Sequence, residues 1–155
     1  MTRPDDSIHS AGLLILRLAL SAIMMAHGAQ KAFGWFDGRG LSATIEGFQA
    51  NLGIPPLLAL AAVAAEVGGG LLFALGVFPR LSALAILVVM LVAMIHVHWK
   101  GGFFLPGGIE FTLALGSAAL CLALTGPGRF ALWAETERDI WNWVTKRRTG
   151  HSSSP

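Results

Sequence analysis

Four runs of almost unbroken apolar sequence, residues 12–33, 57–78, 81–99 and 109–125, decide what this chain can become. A bilayer core of about 30 Å asks for roughly 20 mostly apolar residues per helix, with about 17–25 tolerated. Helix breakers punctuate the boundaries: Pro55-Pro56, Pro79-Arg80, Pro106-Gly107 and Gly126-Pro127-Gly128. Composition agrees, since only 13% of residues are charged, against about 25% in a soluble domain. With 54% hydrophobic residues and 19 glycines, polar surface is too scarce to coat a small water-soluble ball. A disordered chain and a nucleic-acid-binding module are excluded, and a net charge of +2 is no polyanion-binding signal. The expected fold class is all-α: a transmembrane antiparallel four-helix bundle over residues 1–129.

Arg17 interrupts what would be the apolar core of a signal peptide, and the pattern runs on to Phe33, so the first span reads as a retained helix. With the N-terminus inside, the cytoplasmic side collects Arg3, Arg80, Arg129, Arg138, Lys146, Arg147 and Arg148, against Lys31, Arg39 and Lys100 outside. Positive charge gathers on the cytoplasmic face, which puts both termini there. Trp35, Trp99, Trp133, Trp141 and Trp143 fall at span edges, where amphipathic rings prefer to sit. The lone Cys121 can form neither an internal disulfide nor a redox pair, and is expected as a small buried hydrophobe.

Two segments do not span. Leu41, Ile45, Phe48 and Leu52 recur at helical spacing before Gly53 and Pro55, which predicts a short amphipathic helix on the outer face. Phe130, Trp133, Ile140, Trp141 and Val144 share a face, predicting an interfacial helix over residues 130–148 with a basic end at Lys146-Arg147-Arg148. A solvated partner-binding face is its alternative use. The Ser-rich end, residues 149–155, is expected to be disordered. Ala61, Ala65, Gly68, Gly69 and Gly70 give the second span a small-residue surface for close helix packing, or for homo-oligomer formation.

Charges inside the membrane are costly, about 2.5–3.5 kcal/mol at mid-helix on insertion scales, and are usually paired or turned toward a wet cavity. At about 1.5 Å of rise per residue, His27 and His96 lie about 22 Å from the cytoplasmic side, Glu66 roughly 18 Å and Glu110 about 25 Å. Lys31 sits near the outer headgroups. Five ionisable groups from four helices thus fall in the outer half of the membrane, beneath the amphipathic helix. A polar pocket is expected there, with Glu66 and Glu110 as proton-handling catalytic groups and His27, His96 and Lys31 as substrate-binding groups; an ion-pair network is the plainer alternative. Arg17, lower down, is expected to snorkel or to bond backbone carbonyls. No metal or haem is expected, because His96 and His98 point to opposite sides of one helix and no Glu-x-x-His or His-x-x-x-His pair exists.

The ordered segments RLAL (17–20), AHGAQKAFGWF (26–36), NLGIP (51–55), AAEVGGGLLFALGVFPR (64–80), HVHWKGG (96–102), GGIE (107–110) and TGPGR (125–129) resemble the DoxX family of small bacterial four-helix membrane proteins. The likeness covers residues 12–129. It implies redox work in a bacterial inner membrane, close to the quinone pool and beside a peripheral or membrane redox subunit, since relatives are subunits of a terminal quinol oxidase and of a thiosulfate:quinone oxidoreductase, and one is tied to thiol-stress defence. The resemblance supplies no agreed catalytic set, so the residue roles above rest on depth and charge. Three functions stand open: a quinone- or quinol-interacting subunit, with quinone as substrate or bound lipid; a small-molecule or proton-coupled transporter; and a non-catalytic anchor for a redox complex.

Overall fold

The computed structural model describes residues 4–149, all helix and connecting turns with no strand among them. Helix α1 runs Pro4–Phe33 and α2 runs Gly40–Leu52. Helix α3 spans Pro56–Leu75, α4 spans Pro79–Gly101, and the shorter α5 covers Glu110–Thr125. Helix α6 is Ala134–Thr149. Three stretches, Ser7–Phe33, Pro56–Leu75 and Pro79–Gly101, are long and apolar enough to cross a membrane; α5 is apolar but short. Prolines open α3 and α4 at positions whose missing N–H costs the helix nothing. Gly76 ends α3 in the left-handed region, so the last helical residue, Leu75, falls three residues before the boundary expected at 78.

One core unites α1, α3, α4 and α5, through Leu20 and Met24, Phe73, Ile86 and Leu122. Their outward faces stay apolar: Leu57, Leu81 and Leu124 are 76%, 64% and 70% exposed. Water would penalise such a surface, whereas lipid tails accept it and the helices satisfy their own backbones. Cys121 is exposed on that surface rather than buried. Residue periodicity alone could not tell the two apart, because in lipid both faces of a helix are apolar.

Residues 130–133 do not join α6, contrary to the expected helix from 130. Leu132 N–H donates to the Leu75 carbonyl at 3.3 Å and Trp133 N–H to that of Gly76 at 3.1 Å, so the segment is pinned to the α3–α4 turn. The Trp133 ring packs on Phe78 with centroids 4.2 Å apart. The tail at 150–155 and Arg3 lie outside the described residues, as do the side chains of Trp141, Val144 and the Lys146-Arg147-Arg148 run.

Candidate functional site

Lys31, in the last turn of α1, donates through Nζ to Oε1 of Glu66 on α3. The Glu66 side chain is 2% exposed and that of Lys31 28%, so the carboxylate is interior and the ammonium reaches the bundle's edge. The second carboxylate oxygen, Oε2, is buried and has no hydrogen-bond partner among the described residues. A buried carboxylate with one oxygen unsatisfied retains full capacity to accept a further proton or donor.

The backbone around Glu66 departs from the α-helix. Ala65–Gly69 form a π-helical turn, the wider coil that recurs at functional positions in helices. Gly28 of α1 faces that turn: a Cβ there would lie 2.6 Å from Val67 Cγ2, 2.9 Å from Val67 N and 3.0 Å from Glu66 Cβ. Only glycine lets α1 approach closely enough for Lys31, almost one turn further on, to meet Glu66. Helix α2 covers the same end, where Thr44 is buried and its hydroxyl lies 3.4 Å from the Lys31 carbonyl.

The other three expected members have separate partners. His27 is exposed, with its ring 6.4 Å from that of Phe111 on α5. His96 lies in a second π-helical turn, Met94–His98, is exposed, and donates from Nδ1 to the Val92 carbonyl of its own helix at 3.2 Å. Glu110 accepts the Leu105 N–H at 2.7 Å and so fastens the 102–109 loop at the start of α5. His98, set aside in the sequence, is the half-buried member of its pair and bonds the Gly107 carbonyl at 3.2 Å. The structure brings Lys31 and Glu66 into contact, while His27, His96 and Glu110 each contact other groups. Among the described residues, no group of three or more His, Cys, Asp or Glu side chains is placed to hold a metal ion.

Arg17 is 1% exposed and donates to the Pro127 carbonyl at 3.1 Å and the Phe130 carbonyl at 2.6 Å. Of the two expected behaviours, it takes carbonyl bonding over snorkelling. An apolar groove of about 170 Å³ runs between α4 and α5, past Met90, Met94, Thr112 and Gly116.

The chain matches the DoxX family over residues 12–99. It is 38% identical to the "Inner membrane protein YphA" of Escherichia coli (strain K12) over 128 residues, 77% of this chain and 86% of that protein. It is 31% identical to the "Putative oxidoreductase CatD" of Bacillus subtilis (strain 168) over 121 residues, covering 78% of this chain and 84% of that one. No solved structure matches.

Proposed function

The chain belongs to the DoxX family of membrane proteins, and from that premise we propose that it is a quinone- or quinol-interacting inner-membrane subunit of a redox or thiol-stress system, working through Glu66. Its α1, α3, α4 and α5 form an antiparallel four-helix bundle with both termini cytoplasmic. The observation that carries the reading is the Glu66 carboxylate: buried, held by Lys31 on one oxygen, and unsatisfied on the other. The oxidoreductase name of the Bacillus relative and the inner-membrane name of the Escherichia relative point the same way.

Bound quinone would supply two-electron, two-proton chemistry, and its ring and tail call for an apolar site with a few polar groups. Glu66 suits the proton-holding role, because Oε2 can take a proton without breaking the bond from Lys31 to Oε1. Lys31 holds that carboxylate in one orientation while its own exposed flank reaches headgroup water. Gly68 and Gly69 have no neighbouring heavy atom within 4 Å of where a side chain would start, so a flat ring can come close to this turn. His27 is exposed and is left to donate to a carbonyl oxygen arriving laterally, while His96, whose Nδ1 already donates to Val92, offers Nε2 as acceptor for a quinol hydroxyl. The test is to purify the protein from its membrane, extract its lipids for quinone, and titrate a soluble quinol analogue. Co-purified quinone or saturable analogue binding is expected. Absence of both removes the basis of this reading.

A further inference from the structure

The end of the molecule that carries the N-terminus holds a cleft of about 370 Å³ between the start of α1, the start of α4 and the segment joining α5 to α6. Arg80, Arg129 and Arg138 line it together with Ser10, Thr125 and Glu137. Glu137 is committed to Arg80: one carboxylate oxygen accepts the Arg80 N–H at 2.9 Å and the other lies 3.6 Å from its Nε. Arg80 also donates from Nη1 to the Ala123 and Leu124 carbonyls at 2.7 and 3.0 Å, closing the end of α5. These two residues form a wall whose charges cancel. Among the described residues, neither Arg129 nor Arg138 has an acidic partner, and no other acid lines the cleft.

Arg129 is held in place without being used up. Its Nη1 donates to Ser7 Oγ at 2.8 Å and its guanidinium lies 5.1 Å from the Phe130 ring centroid; among the described residues its remaining donors have no partner. Ser10 Oγ accepts the Arg129 N–H at 3.3 Å, so its own hydroxyl proton can still be given. Arg138 is exposed at the rim. The Gly126-Pro127-Gly128 turn leaves the cleft open, since a Cβ on residue 126 would lie 2.9 Å from Arg80 Nη2. Guanidinium forks with a spare hydroxyl match the oxygens of a phosphate. The Phe78–Trp133 pair, its rings tilted 56° to one another, lies at the same end, as aromatic rings do at the headgroup level, where basic recesses meet lipid phosphates.

We propose that this cleft binds a phosphate-bearing anion through Arg129, Arg138 and Ser10. An anionic lipid headgroup and a free phosphate compound share that chemistry, and the test separates them. The full-length protein in neutral detergent is titrated with short-chain phosphatidylglycerol, with phosphatidylcholine of equal chain length, and with inorganic phosphate, reading the unfolding midpoint and bound mass by native mass spectrometry. The same titrations are run on Arg129→Gln/Arg138→Gln and, as control, on Arg39→Gln in the exposed loop before α2. Saturable binding of phosphatidylglycerol in preference to phosphatidylcholine identifies the headgroup; binding of inorganic phosphate alone identifies a free anion. In either case affinity should fall about tenfold or more in the double variant, the loss of charge-assisted hydrogen bonds, and stay unchanged in Arg39→Gln. Should the double variant fail to fold, Arg138→Gln keeps the test alive, since the Arg138 side chain is exposed and makes no hydrogen bond among the described residues. Failure of both phosphatidylglycerol and phosphate to bind, or binding by the variant equal to that of the parent, overturns the proposal.

Discussion

Glu66 and Lys31 share one ion pair but not its burial, and the difference decides which of them the fold can lose. Removing Lys31 leaves an interior carboxylate without its cation, a change that costs about 3–5 kcal/mol in buried pairs. Removing Glu66 leaves an ammonium already 28% exposed in the last turn of α1, able to extend its stem to headgroup water. Lys31→Met should therefore unfold at a clearly lower temperature in detergent than Glu66→Leu, and the reverse order would show that the pair is not seated as described. Gly28 sets the approach that makes the pair possible. Gly28→Val must push α1 from the Glu66 turn, and a loss of about 1–3 kcal/mol is expected from the overpacking alone, read as a drop in the unfolding midpoint.

At the scale of the element, the apolar lengths and the Pro and Gly breaks were legible, because a bilayer imposes length and proline imposes ends. The Lys31–Glu66 pair was half-legible. A charge in lipid demands a partner, but the sequence offered several at similar depth. Depth along a helix gives height and not azimuth, and each residue added to a turn rotates everything beyond it by about 100°. Two π-helical turns, at Ala65–Gly69 and Met94–His98, add such rotation beside Glu66 and His96, and no periodicity announces them. Glu110 also holds a loop backbone at the helix start, a contact that spacing does not reveal. Arg17, expected to bond carbonyls near the inner end, does so on the segment that carries α6. Arg17→Met leaves the Pro127 and Phe130 carbonyls unpaired, at about 1–3 kcal/mol each. Amide exchange across residues 126–133 should rise well above that of α1; unchanged protection there would mean that the Trp133 contacts alone hold the segment.

For the whole molecule, the fourth span is the point on which topology turns. Helix α5 has 16 residues, about 24 Å of rise, less than a bilayer core of about 30 Å. If it crosses, both termini share a side; if it does not, they are on opposite sides. In a Cys121→Ser background, Asp37→Cys in intact spheroplasts should react with a membrane-impermeant maleimide while Ser154→Cys should not. Labelling of both would leave only three crossings. The proposed four-crossing topology would put Glu66 and α2 at the outer end and the arginine cleft at the inner end, so the two proposed sites can be tested separately. The claim on which the functional account rests is that the Glu66 carboxylate responds to a quinone-like ligand. The most direct measurement is the shift in unfolding midpoint that a saturating quinol analogue produces in the wild-type protein and in Glu66→Gln, whose neutral, nearly isosteric amide keeps the packing. The account expects stabilisation of the wild type and its loss in Glu66→Gln at unchanged helical content; an equal shift in both proteins would contradict it.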